Sequence, residues 1–202
     1  MALRFLLLLL LLSTFVFAQN SVPPTLKEVE IEDDYWEAEL TPITNMTDIL
    51  NYIHHDPFKV NFIHSVPAGY PLLKEIDINS FYGARLHPVH GVFKFHRGID
   101  LKGATGEVAI ATGDGIVLET GEKVDLGKYI KIKHKYGFES IYGHLSVIKV
   151  KKGDKIVKSQ VIGKVGATGT VTGPHLHYTL KKNEQYIDPF DFLFMEFEKE
   201  SY

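Results

Sequence analysis

Three short clusters in this sequence carry groups that could do chemistry: His96-Arg97-Gly98-Ile99-Asp100, Tyr142-Gly143-His144-Leu145 and Gly173-Pro174-His175-Leu176-His177. His175 and His177 stand two apart in a β-rich run, so both imidazoles leave one face of a strand and converge on one cavity. Such a pair either builds a metal site or flanks a core Leu176 on an ordinary surface. Strand spacing does not say which of the two would bind a metal. His96 and Asp100 are four apart, which on a straight strand separates them by ~13 Å. Zinc–donor bonds are only about 2.0–2.2 Å, so the chain must bend between them, and Gly98 lies where it can. Two neutral imidazoles and one carboxylate leave zinc an open position and residual positive charge, the catalytic rather than the structural pattern. Each cluster alone is weak, and a lone His144 at a strand end is commonly structural.

The donors have to be nitrogen and oxygen. The chain contains no cysteine among 202 residues, which excludes disulfides and thiolate zinc sites, while ten histidines are available. From Ile76 onward short β-type runs alternate with glycine-bearing turns. Strands are expected at 108–111, 115–120, 129–134, 139–142, 156–157, 161–165 and 175–180, with turns at Gly113-Asp114-Gly115, Gly121-Glu122, Lys152-Gly153-Asp154 and Thr168-Gly169. No stretch there shows helical periodicity. The expected fold is mainly β, a compact antiparallel sheet domain preceded by a short, partly helical N-terminal arm. In that arm Asn45 or Thr47 can cap a helix through Asp48–Ile53, and residues 57–71 read as extended loop.

Arg4, the apolar run 5–12 and the small residues Val16 and Ala18 read as a signal peptide over residues 1–18, cleaved before Gln19. The run is too short to favour a transmembrane helix. The expected organisation is then an acidic arm over 19–75, the main domain over 76–192 and an acidic tail over 193–202. Charge divides unevenly along it. Residues 19–60 carry two lysines against nine carboxylates, whereas residues 76–192 carry 17 Lys/Arg against 12 Asp/Glu. A basic body suits an anionic polymer such as a cell wall, and the acidic arm suits folding back or recruiting a regulatory protein partner.

In their order, the three clusters resemble the signature of the lysostaphin/LytM-type zinc endopeptidases, which cut peptidoglycan peptides. The resemblance covers about residues 78–192. Ser80 through Pro88 resembles the family's entry segment, and His96-Arg97-Gly98-Ile99-Asp100-Leu101 its His-Xaa-Gly-Ile-Asp core. Val150 through Gly169 resembles its glycine-rich stretch, with Ser159 where Gly is usual, and Ile187-Asp188-Pro189 its closing element. The resemblance implies a lysostaphin-like peptidase fold and one zinc ion held by His96, Asp100 and His177, with His144 and His175 as the catalytic pair. Zinc would lower the pKa of a bound water to about 7 and polarise the scissile carbonyl. No His-Glu-Xaa-Xaa-His is present, so a histidine must serve as base.

What the resemblance implies for the whole chain is a zinc metalloendopeptidase acting on peptidoglycan peptides; the signal peptide adds export, to the periplasm first and otherwise to a secreted or cell-wall-associated pool. No nucleic-acid partner and no stable membrane insertion after signal cleavage are expected. A non-catalytic activator of another wall hydrolase is the competing reading, and the intact ligand and histidine motifs speak against it. His134 reads as structural, or as supporting the site from behind. His87 and His90 lie near the expected mouth. His90 stands where the lysostaphin-type enzymes carry a Tyr, which puts the oxyanion donor on that side in doubt. Asn51, His54 and His55 belong to the arm, and through Asn51 or a nearby acid that arm would partly block the groove.

Overall fold

A computed structural model describes residues 47, 48, 51, 64–86, 88, 89 and 91–195. The chain divides into two units, residues 1–38 and 39–202, and the first lies outside the described residues together with the expected signal peptide. Thr47, Asp48 and Asn51 are helical and exposed. Among the described residues no helix is long and apolar enough to cross a membrane.

Among the described residues the body is one ten-stranded sheet and one two-stranded sheet, with every strand pair antiparallel. In chain order the strands are β1 (Ile78–Ser80), β2 (Gly83–Leu86), β3 (Phe93–His96), β4 (Ile99–Lys102), β5 (Val108–Ile110) and β6 (Gly115–Lys123). They continue with β7 (Gly127–Lys133), β8 (Phe138–Ile148), β9 (Lys155–Ile156), β10 (Val161–Val165), β11 (His175–Lys182) and β12 (Gln185–Ile187). The main path runs β1-β4-β11-β8-β7-β6-β9; β10 pairs with β5 and β8, and β12 with β11. β2 and β3 form the small sheet.

Each strand expected from sequence is present, and β8 runs six residues beyond the expected end at Tyr142. The β1–β4 segments and β12 carried no strand signal. In β3, Phe93, Lys94 and Phe95 are all exposed, so burial there never alternates as a half-buried strand requires. The expectation of no helix in this region meets one exception, the single turn α1 (Phe190–Leu193), which buries Phe192 and Leu193.

Period-two alternation in β11 is what separates core from site. Leu176, Tyr178 and Leu180 are fully buried on one face, against Ile99 and Leu101 of β4 and Ile130, Tyr142 and Leu145 of β7 and β8. His175, His177 and Thr179 occupy the opposite face. Burying each large aliphatic side chain contributes about 1.5–3 kcal/mol, so the sheet beneath the histidines is held firmly. Val66, Ala68 and Leu72, ahead of β1, are also buried, and Leu72 bridges to Ala109.

Candidate active site

Three neighbouring strands set the floor of the site. β11 lies between β4 and β8, with His177 directly opposite Asp100 on one side and Gly143 on the other. Directly opposed residues on one face hold their Cβ atoms about 4.5–5.5 Å apart, so His177 and Asp100 meet as a consequence of register. His96 reaches the same point because β3 ends at His96 and β4 begins at Ile99, with Arg97 and Gly98 turning the chain between them. The bend expected at Gly98 is there, and a second requirement appears with it. A Cβ at Gly98 would sit 2.5 Å from Tyr178 O, 2.6 Å from Thr179 Oγ1 and 2.9 Å from His177 Cε1. Only glycine lets the turn approach β11 this closely.

His144 arrives by a different device. On β7 the partners of β8 step from Lys128↔Leu145 to Ile130↔Tyr142, so Gly143 and His144 together oppose Tyr129 in a β-bulge. His144 takes φ +59°, left-handed for a residue with a Cβ, and its N–H donates to Leu126 O at 2.7 Å. That conformation costs on the order of 1–2 kcal/mol. The bulge aims the ring at the β11 histidines, 4.7 Å from His175 and 5.6 Å from His177 between ring centroids.

Three donor atoms converge closely. His177 Nδ1 lies 2.8 Å from Asp100 Oδ1 and 3.1 Å from His96 Nε2, and His96 Nε2 lies 3.2 Å from Asp100 Oδ1. Backbone carbonyls dictate the tautomers around them, since a carbonyl only accepts. His96 Nδ1 donates to Phe81 O at 2.8 Å, His144 Nδ1 to Thr168 O at 2.9 Å and His175 Nδ1 to Gly173 O at 2.9 Å. Each neutral ring then presents a bare Nε2 lone pair. His177 Nε2 lies 3.0 Å from Thr179 Oγ1, which can accept its proton and leave Nδ1 bare.

Imidazole lone pairs and a carboxylate oxygen at about 3 Å repel one another unless a proton or a cation lies among them. Tetrahedral zinc with donors at about 2.1 Å separates them by about 3.4 Å, somewhat wider than the 2.8–3.2 Å seen, so small side-chain shifts would seat the ion. The donor set therefore fits zinc. A second, looser grouping of Asp100, His144 and His175 shares the same carboxylate, with His175 Nε2 3.5 Å from Oδ1.

Electrostatics distinguish these groups. Burial opposes the Asp100 charge, but the contacts with His175, His177 and His96, which are hydrogen bonds whenever those rings carry an added proton, outweigh it and hold the carboxyl well below the usual range. Burial pushes His144 down to about 4, with His177 and His175 adding to the effect. Burial also lowers His177. At His175 burial is outweighed by the bond to Asp100, and the ring titrates above its usual value.

All five candidate residues line or floor one cavity of about 540 Å³. No sequence signal marked Arg85, whose Nη2 donates to Asp100 Oδ2 at 2.9 Å, as part of the site, nor Thr179 and the carbonyls of Phe81 and Thr168. Arg85 stands inside the entry segment, but nothing in its spacing tied it to Asp100. His134 lies outside the cavity, fully buried, between Asp114 O and Ser140 Oγ. His54, His55, His87 and His90 lie outside the described residues.

Residues 94–189 match the model of peptidase family M23. The chain is 38% identical over 112 residues to the DD-carboxypeptidase/endopeptidase Mpg of Neisseria meningitidis, covering 55% of this chain and 26% of that protein. It thus spans about a quarter of that relative's length. Among solved structures it resembles the catalytic domain of the prophage-encoded M23 protein EnpA of Enterococcus faecalis, with 34% identity and TM-score 0.53. That match covers 60% of this chain and 95% of the other. The catalytic domain of lysostaphin from Staphylococcus simulans matches at 30% identity and TM-score 0.53, covering 58% and 91%. With whole catalytic domains of this kind matched nearly end to end, and with the three histidine clusters gathered around one cavity, the chain belongs to peptidase family M23.

Proposed function

We propose that this protein is an exported zinc-dependent endopeptidase that hydrolyses amide bonds in peptidoglycan cross-links or stem peptides. The observation that carries the proposal is the convergence of His96 Nε2, Asp100 Oδ1 and His177 Nδ1 within 3.2 Å, beside two further imidazoles with bare nitrogens. In this reading His96, Asp100 and His177 hold the metal, as the tightest of the donor groupings. Zinc in that place supplies Lewis acidity, polarising a scissile carbonyl and acidifying water near neutral pH.

The remaining chemistry falls to the protein's own groups. His144 and His175 present Nε2 toward the cavity, each with Nδ1 fixed on a backbone carbonyl. One of them takes the proton of the attacking water. An imidazole carrying a proton at Nε2 then hydrogen-bonds the developing oxyanion or delivers that proton to the leaving amine. The carbonyl anchors keep both rings from rotating, and orientation of this kind is a large part of catalysis.

Peptidoglycan as substrate draws support from the name of a further relative, the peptidoglycan DD-endopeptidase ShyC of Vibrio cholerae, 40% identical over 111 residues, and export from the N-terminal apolar run ahead of Ala18. The periplasm is the expected compartment. The competing activator reading loses ground because every candidate ligand and both candidate catalytic histidines are present and assembled. The test is mass spectrometry of fragments released from purified sacculi of several cross-link types. Fragments bearing new peptide amino and carboxyl termini are expected. Release of glycan-cleavage products alone, or of nothing, would overturn the proposal.

A further inference from the structure

The cavity's two side walls differ in charge. One is the β2–β3 sheet, where Arg85 and Lys94 are register partners. Partners in register project from the same face, and so do Lys94 and His96, two apart on β3. All three line the cavity. Arg85 is occupied, since its guanidinium is bonded to Asp100. Lys94 is exposed and has no hydrogen bond or ion pair with any described residue. Across the cavity stand Asp125, Leu126 and the 170–172 loop, with no cation among them. Asp125 Oδ1 already accepts the Leu126 N–H at 2.9 Å.

An ammonium without an internal partner thus stands beside the candidate metal ligands, on a wall where the other cation is consumed. Two strand positions from His96 is about 7 Å, and one peptide residue spans about 3.5 Å. A flexible four-carbon stem covers the difference, so Lys94 can meet a charged group one residue away from a scissile carbonyl placed at His96, Asp100 and His177. The group that an ammonium binds best there is a carboxylate, through a charge-assisted hydrogen bond.

We infer that Lys94 is a specificity determinant: it receives a carboxylate on the residue that supplies the leaving amine. This rests on the peptidase reading and narrows its substrate. In a bond of the DD-carboxypeptidase kind the leaving residue ends in a free carboxylate. In an oligoglycine bridge the next group along is an uncharged amide. The chain would therefore select peptides with a free carboxylate beside the scissile bond over neutral bridges.

The experiment compares two stem peptides ending in D-Ala-D-Ala, one a free acid and the other its carboxamide, with the zinc-loaded full-length protein. Wild type should cleave the acid with at least a tenfold higher kcat/KM, the scale of one hydrogen bond to a charged group. In Lys94→Met the acid-to-amide ratio should fall to near one, with zinc content at the wild-type level. Lys94→Arg should restore most of the preference, and added salt should erode it. A wild-type ratio near one, or a ratio in Lys94→Met equal to that of wild type, overturns this inference and leaves the peptidase reading standing. Cleavage of sacculi with neither peptide cleaved likewise overturns this inference alone, and failure to cleave the peptides and the sacculi overturns both.

Discussion

Arg85 holds the outer oxygen of Asp100. Its Nη2 lies 2.9 Å from Oδ2, while Oδ1 of the same carboxylate faces His177 Nδ1 at 2.8 Å and His96 Nε2 at 3.2 Å. The guanidinium thereby leaves one oxygen for the proposed metal position and fixes its direction. Such supporting partners typically contribute 10–100-fold in metal affinity. Arg85→Met should weaken zinc binding by about tenfold or more in a competition titration against a chromophoric chelator. Tighter binding in the variant would show instead that Arg85 acts mainly as a repelling charge.

Gly98 is the second support. Its missing side chain makes room for the Tyr178 carbonyl and Thr179 Oγ1. Gly98→Ala has to push the 97–98 turn away from β11, and overpacking of this kind costs about 1–3 kcal/mol. The expected result is a lower Tm together with weaker zinc binding, because His96 moves with the turn. An unchanged Tm and zinc affinity would contradict the close approach.

The sequence and the structure meet unevenly around these residues. The order of the three histidine clusters and the alternation His175-Leu176-His177-Tyr178-Thr179-Leu180 made the β fold and the site's membership readable, because period two is a local property. The bend at Gly98 was readable because two candidate ligands four apart demand one. What stayed hidden depends on pairing between distant segments. Arg85 reaches Asp100 only through the β2–β3 sheet, whose exposed phenylalanines mask its strand character. The bulge that turns His144 toward His175 exists only in the register between β7 and β8. No single-strand pattern carries either fact.

Ser159, where the family's stretch usually has Gly, takes φ +68°. A side chain in that region costs on the order of 1 kcal/mol or more, and glycine avoids it at a smaller entropic cost in the unfolded chain. Ser159→Gly should therefore raise stability by several tenths of a kcal/mol, up to about 1 kcal/mol. Thermal unfolding checks this, and a lower Tm would show that the Ser159 side chain contributes more than its backbone costs.

His134 gives the protein an acid limit away from the cavity. Its Nε2 lies 2.7 Å from Ser140 Oγ, which also lies 3.3 Å from Tyr142 OH, and Thr112 Oγ1 joins the Tyr142 and Tyr178 hydroxyls at 3.0 and 2.8 Å. Burial pushes His134 down to about 4, against a bond to Asp114 O that raises it. In the unfolded chain the ring titrates near its ordinary value of about 6.5. Between those two values the unfolded state binds a proton that the folded state refuses, so stability falls as pH drops from about 6.5 to about 4. The full loss is about 3 kcal/mol. His144 and His177 are lowered too and act in the same direction. In the presence of chelator, His134→Gln should flatten part of the pH dependence of Tm over that range. A wild-type slope in the variant would remove His134 from the account.

The division of labour on β11 and β8 is the central claim, and zinc content measured on the same preparations used for muropeptide release tests it most directly. Wild type should hold one zinc per chain and release fragments with new peptide termini. His177→Ala should lose both the zinc and the release. His144→Ala should keep its zinc and lose at least about 100-fold of the release, as expected for removal of a proton-transfer group. A His177→Ala protein that keeps its zinc and its activity, or a His144→Ala protein as active as wild type, would contradict the assignment.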